Sequence, residues 1–185
     1  MGFFSNRAVA TVLAIVAVAG STLVNTKVKL GRDCREVEDG FYSGVTYDGY
    51  SHKSIQSQLN GISGAAGGLV SIANNYDIDT AALSAAQDNL DSSLKYGSVS
   101  EIYGRYAALN DEVSAIQNEL SSKTLSERDA SGVNQYASAL KGAASVISSS
   151  GYNESVRDFI RNTYDVFPAD FLGSFTNVEA PQLFE

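Results

Sequence analysis

The chain of 185 residues carries a net charge of −8, with one cysteine, one histidine and no tryptophan. Those counts exclude an intramolecular disulfide framework, multi-cysteine zinc and iron–sulfur sites, the two-histidine zinc-protease helix and the paired-histidine di-iron bundle. The acidic balance removes nucleic acid as the main partner, since phosphate binding needs a basic face, while 44% apolar residues suffice for one domain with a core.

From Ala8 to Thr26 nineteen residues pass without a charge, bounded by Arg7 and Lys27. As a helix rising 1.5 Å per residue this stretch spans roughly 28 Å, close to the ~30 Å hydrocarbon core of a bilayer. The favoured reading is an uncleaved membrane anchor. The rival reading is a signal peptide, with Val9–Val16 as its apolar region and Ala17-Val18-Ala19 as its cleavage pattern. The apolar run continues past Ala19 through Leu23 and Val24, which favours the anchor. One basic residue precedes the span, and Lys27, Lys29, Arg32 and Arg35 follow it. That asymmetry predicts a short N-terminus outside and the remainder in the cytoplasm. Cleavage at Ala19 would instead export the remainder. Residues 1–39 hold five basic and four acidic side chains, and residues 40–185 hold eight and seventeen, so the basic excess lies beside the apolar stretch.

The helical pattern continues through Leu30, Cys34, Val37 and Phe41, until Gly40, Gly44 and Gly49 among tyrosines mark a break. Ile55, Leu59, Ile62, Ala66, Leu69 and Ala73 then form a seam closing every three or four residues. Tyr76-Asp77-Ile78-Asp79 reads as a turn, with Asp79 as N-cap of a short helix through Leu83, Ala86, Leu90 and Leu94. Val99, Ile102, Tyr106, Leu109, Val113, Ile116 and Leu120 alternate spacings of three and four, a heptad seam. Its opposite face carries Glu101, Arg105, Asp111, Glu112 and Glu119. Ser126 followed by Asp129 resembles a capping box, opening a last long helix through Val133, Tyr136, Leu140, Ala144 and Ile147. Ser148–Gly151 predicts a kink, after which Tyr152, Val156, Phe159, Ile160 and Tyr164 resume the pattern until Phe167-Pro168 stops it. No sustained strand is predicted.

Each residue that could carry chemistry has a structural reading that fits better. His52 has no second ligand at helical spacing except Asp48, and Cys34 falls on an apolar seam, where a thiol behaves as a small hydrophobe. Asp77 with Asp79 lacks the calcium-loop spacing and its central glycine, and Asp111 with Glu112 lies on a solvated helix face. Gly61, Gly64, Gly67 and Gly68 lie inside a helical seam and lack the Lys-Ser/Thr of a phosphate loop, so close helix approach explains them better. Asn153-Glu154-Ser155 is a glycosylation sequon by letter only. No catalytic, cofactor-binding or metal-binding residue is therefore assigned.

Tyr152-Asn153-Glu154-Ser155-Val156, Phe167-Pro168, the aromatics Phe171 and Phe175 around Gly173, and the close Gln182-Leu183-Phe184-Glu185 together resemble the LemA family. Val24-Asn25-Thr26-Lys27-Val28 is similar to that family's exit from its transmembrane helix. The match covers about the last 34 residues in order and spacing, and the middle only in length and helicity. Between Tyr-Asn and Phe-Pro this chain is one residue longer than the usual family spacing. Gly142–Ser149 stands where the family has Glu-Asn and Ala-Arg, and the family's Arg-Tyr-x-Leu-Ile-Pro-Asn-like helix start is replaced around Ser51–Leu59. The resemblance implies a bacterial, membrane-anchored helical protein without an established enzymatic activity, and no catalytic residue. The matched residues are expected to act structurally, with Phe171, Phe175 and Phe184 covering the bundle end; the alternative, contact with the membrane interface, is disfavoured by Asp170, Glu179 and Glu185, which anionic lipid would repel.

The expected fold is all-α: an antiparallel long-helix bundle with coiled-coil-like seams, its first helix continuous with an N-terminal transmembrane span. The expected divisions are 1–26 (N-terminus and anchor), 27–168 (bundle) and 169–185 (aromatic tail). The expected function is a non-enzymatic scaffold or protein-interaction module. It meets the lipid bilayer through residues 8–26 and engages a protein partner or itself, without cofactor or nucleic acid. The alternative is an exported cell-envelope helical protein.

Overall fold

Apolar side chains recurring every three or four residues need a partner surface, and the chain supplies it by packing helices on one another. The computed structural model describes residues 7–166, 169–170 and 177–185, with residues 7–20 and 22 as backbone alone. The elements are α1 (Arg7–Ser43), β1 (Thr46–Tyr47), β2 (Tyr50–Ser51), α2 (Ile55–Asn74), α3 (Ala81–Tyr96), α4 (Val99–Ser121), α5 (Glu127–Ser148) and α6 (Tyr152–Phe159), followed by a π-helical turn Ile160–Tyr164. The helical fold class is as expected. Among the described residues no helix is long and apolar enough to cross a membrane. The expected span at 8–26 falls mostly on residues whose side chains lie outside those described, as do Phe167, Pro168, Phe171 and Phe175 entirely.

The chain divides into two compact units, Met1–Glu38 with Arg157–Pro181 and Asp39–Val156 with Gln182–Glu185. The division thus follows packing, whereas the boundaries at 26 and 168 follow sequence character.

In the larger unit α2 packs against α3, α4 and α5, and α3 packs against α4. The seam of α2 is buried as expected, and Ser63, Ala65 and Ile72 are buried beside it. Three neighbours explain this wider arc. On α4 the heptad positions Val99, Ile102, Leu109, Val113, Ile116 and Leu120 are buried, while Tyr106 is half-buried. Leu83, Leu90 and Leu94 of α3 complete this core. Each fully buried leucine stabilises by about 1.5–3 kcal/mol relative to exposure.

Helix α5 packs on α2 without fully burying a single residue. The two meet through reciprocal glycine notches. The ring of Tyr136 lies over Gly68, where an added methyl would overlap it, and a methyl at Gly132 would come 2.9 Å from Ile72 Cδ1. Gly67 faces Gln87, whereas Gly61 and Gly64 face open space. Close helix approach therefore accounts for Gly67 and Gly68 of the glycine series but not for Gly61 and Gly64.

The breaks are built locally. Gly44 takes φ +88° directly against the carbonyl of His52, so any side chain there would collide with backbone. Asp48 and Gly49 have φ of 50° and 77°, the two positive values of a tight hairpin turn, and pair Thr46 with Ser51 and Tyr47 with Tyr50. Where a kink was expected, the helix stops: α5 ends at Ser148, Gly151 takes φ +71° and α6 begins at Tyr152. Helix α3 starts at Ala81 with Thr80, not Asp79, as its N-cap; Asp79, one residue further out, accepts from Ala81 N–H at 3.0 Å in an Asx turn.

In the smaller unit Leu30 and Cys34 of α1 are buried. Tyr164 donates its hydroxyl to Val178 O at 2.6 Å, tying the π turn to the segment beyond residue 176.

Candidate functional site

Of the residues carrying the C-terminal family resemblance, Tyr152, Asn153, Gln182 and Phe184 come together in the larger unit. Tyr152 and Asn153 open α6, where Gly151 and the preceding serines have ended α5. Tyr152 donates its hydroxyl to Gln182 O at 2.8 Å. Asn153 Nδ2 donates to Phe184 O at 2.9 Å, and Asn153 Oδ1 accepts from Phe184 N–H at 2.8 Å. The amide thus pairs with the Phe184 backbone as a neighbouring strand would. Gln182 Oε1 accepts from Ser100 N–H at 3.1 Å, and Ser98 Oγ accepts from Glu101 N–H at 3.3 Å, so two exposed donors in the first turn of α4 are satisfied.

These bonds seat the Phe184 ring, only 5% exposed. It packs against Phe41, Tyr103 and Tyr106 with centroids 5.5, 5.2 and 5.9 Å away, and Phe41 meets Tyr152 at 5.8 Å. Phe184 therefore packs onto the larger unit's core, as expected, whereas Phe171 and Phe175 lie outside the described residues.

A cavity of about 210 Å³ adjoins this cluster, lined among others by Ile55, Tyr103, Tyr106, Asn153, Glu154 and Phe184. Its size suits a few water molecules, below the ~300 Å³ at which small-molecule pockets begin. Burial, helped by the neighbouring Tyr103, pushes the Tyr106 phenol above its ordinary range, so at neutral pH it is a hydrogen-bond donor and not a base. Asn153 already spends its amide on Phe184. The arrangement holds the chain segment 182–184 in place.

The other candidates stay dispersed. His52 is half-buried just past β2, its backbone N–H bonded to Val45 O at 2.8 Å. Among the described residues no three His, Cys, Asp or Glu side chains gather as metal ligands. Asp77 occupies a left-handed turn position at φ 54°, and Asp111 is exposed on α4. Burial first, then Glu38 and Asp33, pushes the Cys34 thiol upward, which keeps it protonated and unreactive.

The expected capping box at Ser126 gains a third member. Ser126 Oγ accepts from Asp129 N–H at 3.1 Å. Tyr76, from the α2–α3 turn, accepts Ser126 N–H at 2.8 Å and donates to Asp129 Oδ2 at 2.7 Å. The hydrogen bonds that Asp129 Oδ2 accepts, from Tyr76 first and then from Ser126 Oγ at 2.8 Å, hold its carboxyl below its usual range. Sequence reasoning found the Ser126–Asp129 spacing but missed Tyr76, which only the fold brings there.

No family model, curated protein or solved structure matches the chain.

Proposed function

We propose that this chain is a LemA-like, membrane-anchored helical protein acting as a non-enzymatic scaffold or protein-interaction module. The observation carrying this reading is the clamp of Tyr152 and Asn153 on Gln182 and Phe184. It gives the two separated halves of the resembling pattern one shared physical task. The spacing between Tyr-Asn and Phe-Pro, one residue longer than the family's, also has a counterpart. The π turn Ile160–Tyr164 lies within that interval, and a π turn accommodates an extra residue inside a helix.

With those residues engaged in closing the bundle, its outer helix faces are the surfaces through which it acts. Helix α5 is the natural one, since its stripe of Val133, Tyr136, Leu140 and Ile147 is only half covered. A second helix with a similar stripe would complete that burial. Residues 8–26 serve as the anchor, joined to the bundle through the unbroken backbone of α1.

Protease protection in intact spheroplasts, read on an epitope-tagged full-length chain, tests the anchor. A protected band of full size supports a cytoplasmic bundle, while a band shortened at about Ala19 or digested means export. Sedimentation of the detergent-solubilised chain tests the interaction surface. Self-association that Leu140→Glu abolishes is expected, and a monomer at every concentration with no effect of Leu140→Glu removes the self-association form of the proposal.

A further inference from the structure

The smaller unit contains a cavity of about 400 Å³ lined by two different kinds of surface. Leu30, Val166 and Ala169 make it apolar, while Asn25, Thr26, Lys29 and Asp33 from α1 and Asn162 and Thr163 from the π turn make it polar. We propose that it binds the headgroup of a phospholipid in which a phosphodiester is joined to a primary ammonium. This inference rests on the anchor reading above and names the lipid chemistry of that same segment.

Position along α1 is the first argument. Asn25 and Thr26 end the uncharged run, and Lys29 follows Thr26 by about 4.5 Å along the helix axis. With residues 8–26 in hydrocarbon, the charged part of the cavity lies at headgroup depth.

Charge is the second. Lys29 and Asp33 stand one turn apart, about 5–6 Å between Cβ atoms, a separation comparable to that of the two charges in a phosphoethanolamine group. Lysine before aspartate at this spacing is the weaker order for a helical ion pair, and Asp33 meets Arg32 at 3.4 Å instead. Lys29 supplies a compact positive charge to the phosphate, and the Asn and Thr side chains supply polar partners for its ester oxygens. The exposed 3.4 Å contact with Arg32 is weak, so the Asp33 carboxylate can exchange it for a primary ammonium, whereas a quaternary one has no N–H donors for it.

Apolar exposure is the third. Leu23, Val24 and Val28 of α1 are 38%, 61% and 65% exposed, and Val166 of the cavity wall is 46% exposed. Apolar side chains left in the open beside a polar cradle match a lipid, whose acyl chains would cover the former while its headgroup fills the latter.

The test is native mass spectrometry of the full chain in detergent, offered equal amounts of phosphatidylethanolamine and phosphatidylcholine with matched acyl chains. The expected result is at least about tenfold preference for the ethanolamine lipid, or 1.4 kcal/mol. Asp33→Asn should equalise the two lipids, and Lys29→Ala should lower retention of both, with helicity by circular dichroism unchanged. Equal retention by the unsubstituted chain, or discrimination surviving Asp33→Asn, overturns the proposal. Glycerophosphoethanolamine, the same headgroup without acyl chains, should compete only weakly, and competition as strong as the lipid's overturns the lipid as ligand. Flotation separates the underlying reading. A chain that floats with neither kind of vesicle loses its anchor, whereas one that floats but shows no headgroup preference keeps its anchor and loses this site.

Discussion

Asn153 grips Phe184 by both backbone groups, donating to its carbonyl at 2.9 Å and accepting from its N–H at 2.8 Å. Removing the amide by Asn153→Ala deletes two partly buried hydrogen bonds, a loss of about 1–3 kcal/mol. Phe184→Ala empties an aromatic socket and should cost about 3–5 kcal/mol. Because both act on one contact, the double variant should lose less than the sum. Urea unfolding of the four chains of this cycle measures it, and strict additivity would mean that the clamp does not seat the ring.

Two glycines of α2 should respond oppositely to alanine. Gly61 faces open space, so Gly61→Ala gains helix propensity, up to about 1 kcal/mol. Gly68→Ala pushes the Tyr136 ring off α2, and that lost packing offsets or exceeds the same gain. In a Tyr136→Ala background Gly68→Ala should become stabilising, as thermal melts of the four variants would report.

The Asp129 carboxyl, held below its ordinary range by Tyr76 and Ser126, contributes stability only while ionised. That contribution is complete above the unfolded carboxyl's pKa of about 3.9 and is lost as pH falls through the lower native value. Asp129→Asn should therefore lower the urea midpoint near neutral pH and match the parent chain once both are uncharged in strong acid. A difference independent of pH would refute the charge-assisted cap.

Cys34 is 5% exposed, and burial raises its thiol pKa. Maleimide labelling should be slow in the folded chain and rapid in urea, with a native rate set by local opening. Rapid labelling of the folded chain would place Cys34 outside the packed seam.

How much was legible in the sequence differs by range of interaction. The α2 and α4 seams read directly, since periodicity registers which face meets a neighbour. Ser126 with Asp129 read directly as well, being a spacing of three. The hairpin at Thr46–Ser51 escaped because strands of two residues show no alternation, although Asp48-Gly49 carried the turn signal. Tyr76 at the α5 cap lies 50 residues from Ser126, and Gln182 at the α4 start lies 82 from Ser100. No local pattern announces such partners. The break at Gly151 was legible as weak helix, but the demand for glycine there is partly tertiary: Tyr47 Cβ would lie 2.9 Å from a side chain at that position. For the site, the resemblance singled out Tyr152, Asn153 and Phe184 without the geometry that joins them.

The seating of Phe184 also orders events in time. Helices α2, α3 and α4 follow one another through short turns, so their mutual packing needs only brief chain searches. The aromatic cluster instead gathers Phe41, Tyr103, Tyr152 and Phe184 from distant parts of the chain. Phe184 is expected to dock after the rate-limiting barrier, on a core that α2, α3 and α4 have already formed. Its truncation should leave the refolding rate nearly unchanged and accelerate unfolding by most of the lost stability. Segment 182–185 is then a kinetic latch, setting how long the folded bundle lasts rather than how quickly it forms.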